Sequence, residues 1–185
     1  MCHPTVIEFG KENIFKEDVN RKRVLEVGSR NINGTLKHIV VEFGASEYIG
    51  TDLIQGDCVD IICSAEDIVE KFGKESFDVV VSAEMLEHVK DWKKVISNIK
   101  QVCKKRGIIL ITTRSYGMIK HEFPGDYWRY EVEDMNYIFS DCKILKMAKD
   151  AFQPGVFIKV TKPDNFIEKD LCDYKLYNMQ TNSKA

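Results

Sequence analysis

The chain is predicted to fold as an α/β domain, a mostly parallel sheet with helices on both faces, and three observations predict it. The first is the stretch from Arg23 to Gly34. An apolar run of Val24, Leu25 and Val27 carries one acid, Glu26, and ends in Gly28; a polar loop then leads to the helical spacing Leu36, Ile39, Val40 and Phe43. That order reads as a buried strand, a tight turn and a helix beginning near Thr35. The second is the repetition of strand and helix signals as far as Thr113, the pattern of βαβ units. The third is the ending. Two strand-like stretches, Lys143–Met147 and Gly155–Lys162, lie close together around the turn signal Gln153-Pro154-Gly155, which suits an antiparallel finish.

Residues 1–22 are polar with isolated apolar positions (Val6, Ile7, Phe9, Ile14, Phe15, Val19) and read as an N-terminal arm, with room for a short helix, laid against the domain. Glu47 to Leu53 gives a second strand with Asp52 at its carboxyl end, and Val59 to Cys63 a short third. Ser64-Ala65-Glu66-Asp67 reads as a polar turn capping a helix that runs to about Phe72. The Val run within Ser76–Ser82 predicts a fourth strand buried on both faces. Ala83 to Lys90 is the loop after it, and Asp91 is a suitable N-cap for a helix whose Trp92, Val95, Ile96, Ile99, Val102 and Cys103 share one face. Ile108–Thr113 is the fifth strand. Residues 114–141, dense in aromatics and charges, form an insertion with a short helix over Glu131–Phe139. Residues 163–185 read as a peripheral tail, polar and frayed beyond Met179.

With 185 residues and 44% hydrophobic content, one core domain over residues 23–162 is expected. A net charge of −2 and a pI near 6.1 argue against binding nucleic acid through bulk positive charge. The basic runs Arg21-Lys22-Arg23 and Lys104-Lys105-Arg106 each precede a strand and read as solvated turns. Six cysteines are scattered without a CxxC pair. Cys2 with His3, or Cys58 with Cys63, lacks the second pair that tetrahedral ligation needs, so no metal is expected. No secretory signal and no bilayer-length apolar run is visible, and reduced thiols in a cytoplasmic protein fit this pattern.

Four motifs stand in order: Val24-Leu25-Glu26-Val27-Gly28, Tyr48-Ile49-Gly50-Thr51-Asp52, the run from Ser76 through Ala83-Glu84-Met85-Leu86-Glu87-His88, and Gly107 to Thr113. Together, over roughly residues 20–162, they resemble the class I S-adenosylmethionine-dependent methyltransferases of the small type 11 group. The resemblance implies a Rossmann-like seven-stranded sheet of order 3-2-1-4-5-7-6 with strand 7 antiparallel. It implies S-adenosylmethionine as cofactor, with S-adenosylhomocysteine as product. Glu26, Gly28 and Ser29 are then expected along its methionine part, Asp52 and Leu53 at the ribose, Ser64, Ala65 and Glu66 at the adenine edge, and Ala83 and Glu84 beneath it. A carboxylate such as Asp52 can accept both hydrogen bonds of a cis-diol. The chain departs from the family's alternating glycines: Arg30 and Ile32 stand at the second and third positions, and Gly34 follows two residues later.

Plainer readings stand beside these. Glu26 can serve loop amides, Asp52 can cap a turn, Glu84 and Glu87 can be surface charges, and His88 can serve the helix that follows it. His121 to Tyr130 packs four aromatics with a His, an Asp and an Arg. It reads either as the wall of an acceptor pocket, with Tyr127, Trp128 and Arg129 on the substrate, or as a satellite core in which Arg129 pairs with Asp126 or Glu131. The expected reaction is in-line methyl transfer, for which the protein aligns and desolvates; His88 and His121 are the candidate bases. Two alternatives are a cofactor-binding module without transfer activity and an NAD-dependent oxidoreductase, since Asp52 lies 24 residues beyond Gly28. The chain has neither an Asn-Pro-Pro-Tyr type tetrapeptide after the fourth strand nor a Pro-Cys motif. A small molecule, sugar or lipid-linked acceptor is expected, with no nucleic acid and no membrane span, in a monomer or homodimer.

Overall fold

Arg23–Val27 forms the central strand β1, and the computed structural model builds the sheet outward from it, describing residues 3–121 and 124–185. β1 pairs in parallel with β2 (Glu47–Asp52) and with β4 (Phe77–Ala83). β3 (Ile61–Ile62) extends one edge, and β5 (Cys103–Arg114) follows β4. β8 (Gly155–Thr161) runs antiparallel to both β5 and β7 (Lys143–Lys149). The order is β3-β2-β1-β4-β5-β8-β7. Counting only the strands of this sheet, it is the 3-2-1-4-5-7-6 arrangement with the seventh strand reversed.

Alternation along the strands divides the core. Val24, Val79, Val81, Leu110 and Phe157 face a cluster shared with the N-terminal helices, whereas Leu25, Val27, Val80, Ile109, Ile111 and Ile158 face the other. The first face is covered by α1 (Pro4–Asn13), α2 (Lys16–Val19) and α3 (Lys37–Glu42) through Val6, Phe9, Val19, Leu36 and Val40. The second is covered by α4 (Ile68–Phe72), α5 (Trp92–Val102) and α6 (Val132–Ile138). Asp91 caps α5 as its sequence predicts, accepting from the Lys94 amide at 3.0 Å. α3 starts two residues later than the spacing suggests, because the Thr35 hydroxyl accepts from the Lys37 amide at 3.0 Å and holds Thr35 outside the helix.

Beyond the main sheet, β6 (Trp128–Arg129), β9 (Tyr177–Asn178) and β10 (Ser183–Lys184) make a small antiparallel sheet of order β10-β9-β6. The composition of the tail predicts fraying beyond Met179, and the structure differs. Leu171 and Leu176 are buried in the second cluster, Tyr174 stacks on Tyr137 at 4.2 Å, and β10 closes the chain onto β9. The polar side chains that suggest fraying hold the turn instead: Asn178 Oδ1 accepts from the Gln180 and Thr181 amides at 2.8 and 3.2 Å, and Gln180 Nε2 donates to Asp126 O at 2.9 Å. Among the described residues no helix is long and apolar enough to cross a membrane, and Cys58, Cys63, Cys103, Cys142 and Cys172 are free thiols. Cys2 lies outside the described residues; His3 caps α1, its Nδ1 accepting from the Thr5 amide at 3.4 Å.

Candidate functional site

A cleft of about 530 Å³ opens at the carboxyl ends of β1, β2 and β4, where ligands of open α/β sheets bind. Its size falls within the range of small-molecule sites. Glu26 enters from β1. Its Oε2 accepts from the Tyr48 hydroxyl at 2.6 Å, and burial pushes its carboxyl up to about 7 against the pull of that hydrogen bond and of Lys37. Gly28 follows with φ +77°, a left-handed conformation, and a Cβ there would meet the Met85 side chain at 2.5 Å. The Gly28 and Ser29 amides donate to the Thr51 carbonyl at 2.8 and 2.9 Å, and the Ser29 hydroxyl donates to Cys58 O at 2.9 Å. Ser29 therefore borders the cleft with its hydroxyl already engaged.

Asp52 ends β2. Its Oδ2 accepts from the Arg30 amide at 3.3 Å and its Oδ1 from the Ile54 amide at 3.1 Å, which leaves lone pairs on both oxygens. Arg30 and Ile32, which replace the glycines, line the cleft without filling it. Their loop is held away by Asn31, whose amide donates to Asp57 O and whose Nδ2 donates to Asp57 Oδ2, each at 2.9 Å. Ser64, Ala65 and Glu66 form the next wall. The Asn98 side chain on α5 donates to Ala65 O and Glu66 O at 3.1 and 2.8 Å, which fixes their position.

Ala83 and Glu84 form the floor, and Glu84 adopts φ +55°, an uncommon conformation for a non-glycine residue. Its carboxylate pairs with Arg114, which is tied in turn to Asp150 at 2.9 Å and through it to Thr5 of α1 at 3.0 Å. Burial first, then the neighbouring Glu87, raises the Glu84 carboxyl to about 8.

A one-turn 3₁₀ helix, Leu86–His88, closes the far end. The His88 Nδ1 lies 2.5 Å from Gly125 O. His121 faces His88 edge to face, their ring centroids 5.0 Å apart. Its amide donates to Asp126 Oδ2 at 2.9 Å and its Nδ1 lies 3.1 Å from Ile119 O. Beside both rings lies Glu87, fully buried, its Oε1 3.7 and 3.9 Å from the His88 and His121 Nε2 atoms and its Oε2 accepting from the Thr113 hydroxyl at 2.9 Å. Burial would raise Glu87, but His121 and the charge of His88 hold it down to about 2. The Glu87 carboxylate likewise raises His121, opposed by burial.

The structure thus brings together Glu26, Gly28, Ser29, Asp52, Leu53, Ser64, Ala65, Glu66, Ala83, Glu84, His88, His121 and Tyr127 around one cleft. It corrects two expectations, since Trp128 and Arg129 do not line it. Trp128 donates its indole N–H to Val89 O at 2.9 Å. Arg129 is 1% exposed and makes a bidentate pair with Asp126 at 2.5 and 2.7 Å. Of the two readings of this segment, Arg129 follows the satellite-core one and Tyr127 the wall. Glu122 and Phe123 lie outside the described residues. Sequence reasoning missed Glu87, treating it as a possible surface charge. The available signal was the position of Glu87 directly before His88 in the loop that follows the carboxyl end of β4.

No curated protein matches the sequence. The sequence profile of a methyltransferase domain matches residues 6–151. In solved structures the fold recurs in an S-adenosylmethionine-dependent methyltransferase from Mesorhizobium loti, at 15% identity and TM-score 0.63, covering 84% of this chain and 96% of that one. It recurs also in the 1,6-didemethyltoxoflavin-N1-methyltransferase of Burkholderia thailandensis, at 13% identity and TM-score 0.64, covering 86% and 79%. The [4+2]-cyclase SpnF shares it as well, at 15% identity and TM-score 0.64, covering 85% and 80%. At such identities the likeness concerns the fold alone, and fold does not dictate reaction. The domain profile spans most of the chain, and the sheet order agrees with it: the protein belongs to the methyltransferase-domain family, the class I S-adenosylmethionine-dependent methyltransferases.

Proposed function

We propose that this protein transfers a methyl group from S-adenosylmethionine to a small molecule, a sugar or a lipid-linked intermediate that enters beside His88, His121 and Tyr127. The observation that carries the reading is a single cleft with two chemically different ends. At one end Glu26, Asp52 and the 64–66 loop offer acceptors and an apolar edge for a nucleoside with an amino-acid tail. At the other end stand two imidazoles and a phenol. The donor set fits the cofactor: Asp52 retains lone pairs for a cis-diol, and Glu26 is an acid positioned for an ammonium group.

When bound, S-adenosylmethionine supplies a methyl group on a sulfonium, already joined to its leaving group. The protein's part is to hold the acceptor in line and to exclude water. His88 donates through Nδ1 to Gly125 O, so its neutral form carries the lone pair on Nε2 and can take a proton there. Glu84, tied to Arg114, supports the floor and does not reach for an acceptor. A small acceptor accords with the net charge of −2, and the Burkholderia relative holds one, 1,6-didemethyltoxoflavin.

Calorimetric titration with S-adenosylmethionine and S-adenosylhomocysteine tests the reading, with NAD as control. Micromolar binding of both sulfur ligands, lost in Asp52→Ala, is the expected result. Absence of binding to the intact protein would overturn it.

A further inference from the structure

We propose that Glu87, His88 and His121 form a binding site for a divalent transition-metal ion, of the two-imidazole, one-carboxylate type, at the acceptor end of the cleft. One ligand atom from each residue lies within 4.8 Å of the others. The His88 and His121 Nε2 atoms stand 3.7 and 3.9 Å from Glu87 Oε1. These separations exceed a hydrogen bond. They approach the ~3.4 Å between ligands of a tetrahedral ion bound at about 2.1 Å.

The hydrogen bonding supplies the reason. Both imidazoles turn Nδ1 toward a backbone carbonyl, Gly125 O for His88 and Ile119 O for His121. In their neutral forms the N–H is used there, and both Nε2 lone pairs converge on Glu87 Oε1. That oxygen is buried and accepts no hydrogen bond, although its twin accepts from Thr113. The buried carboxylate oxygen and the two imidazole nitrogens thus face one space that either a protonated imidazole or a bound cation must neutralise, and three ligand atoms from three residues suit the cation. The surrounding contacts are those that orient metal ligands: carbonyls on the distal imidazole nitrogens and a hydroxyl on the free carboxylate oxygen. Imidazole nitrogen with one carboxylate favours zinc, cobalt, iron or nickel over magnesium or calcium. His121, on a loop with its side chain 19% exposed, is the ligand placed to close the remaining gap.

Three protein ligands leave coordination positions open. His88 and His121 both line the cleft, so those positions face the space where an acceptor enters. This part rests on the methyl-transfer reading, replaces the proton-accepting role of His88 Nε2 with metal ligation, and narrows the acceptors to those that present an oxygen.

The test is titration of chelator-treated full-length protein with Zn²⁺ and with Co²⁺, following heat and visible absorption. One equivalent of either ion, with cobalt absorption bands of a low-coordinate nitrogen–oxygen site, is expected; His121→Ala should lose at least 10-fold in affinity. Glu87→Gln should lose it too, and because Glu87 is buried, circular dichroism accompanies that variant. Acetohydroxamate, a simple oxygen chelator, should shift the cobalt spectrum if the open positions are reachable, and an unchanged spectrum would overturn that part. Failure of the intact protein to bind either ion, or equal binding by His121→Ala, would overturn the site. S-adenosylhomocysteine titrated into the same preparations separates the outcomes: cofactor binding without metal binding sinks only this inference, and metal binding without cofactor binding sinks only the methyl-transfer reading.

Discussion

Asp126 and Arg129 form a bidentate ion pair at 2.5 and 2.7 Å with both side chains fully buried, and the same Asp126 carboxylate accepts the His121 amide at 2.9 Å. The pair therefore anchors the backbone that carries one wall of the cleft. Removing one member leaves the other charged and buried. Arg129→Met is expected to lower the unfolding free energy by about 3–5 kcal/mol in urea titrations. The double variant Asp126→Asn/Arg129→Met should recover part of the loss, because no uncompensated charge remains. Equal stability of the single and double variants would argue against the pair as the anchor.

Glu26 makes stability depend on pH in a defined direction. Its carboxyl lies at about 7 in the fold against an ordinary 4.5. Between those values the folded chain holds a proton that the unfolded chain has released, so stability falls as pH rises from 4.5 towards 7 and levels above it. Below 4.5 both states are protonated and the contribution vanishes. Glu26→Gln should flatten this part of the profile, gaining roughly 3 kcal/mol on the parent between low pH and pH 8. Denaturant midpoints measured at both pH values check it.

Asn98 satisfies two carbonyls of the 64–66 loop with one amide nitrogen. Asn98→Ala leaves them without that donor and frees the loop. Calorimetry is expected to show about a 10-fold loss in affinity for S-adenosylhomocysteine, on the order of 1–2 kcal/mol, with Asp52 untouched. Unchanged affinity would separate the loop from the cofactor.

Leu176 is completely buried although it lies in a stretch that reads as tail. Leu176→Ala should cost about 2–5 kcal/mol of stability. A cost under 1 kcal/mol, the scale of surface substitutions, would show that the segment contributes little to the fold.

The sheet and the residues gathered at the carboxyl ends of β1, β2 and β4 were legible because their signals are local. The Val run of β4 announces burial on both faces, and each of these acids and loops lies within two residues of a strand's carboxyl end, as Glu26, Asp52, Ser64 and Glu84 do. The far end of the cleft was legible only in part. A stretch rich in aromatics and charges has the same composition whether its side chains wall a cleft or pack on one another, and here Tyr127 does the first while Arg129 does the second. Glu87 was obscured because its burial depends on Thr113 and on two imidazoles, one of them 34 residues further along the chain. The pairing of β6 with β9 joins Trp128 to Asn178, and two-residue strands so far apart leave no periodic trace.

That pairing also sets an order of events during synthesis. Every residue around the Glu26 and Asp52 end of the cleft precedes Met85, and the sheet that supports it lacks only β5, β7 and β8 at that stage. The small sheet beside the imidazoles gains its middle strand only after Tyr177 has been made. Domains form from the amino end as the chain emerges. A growing chain can therefore shape the Glu26 and Asp52 end of the cleft before the strand that backs the opposite wall has been made.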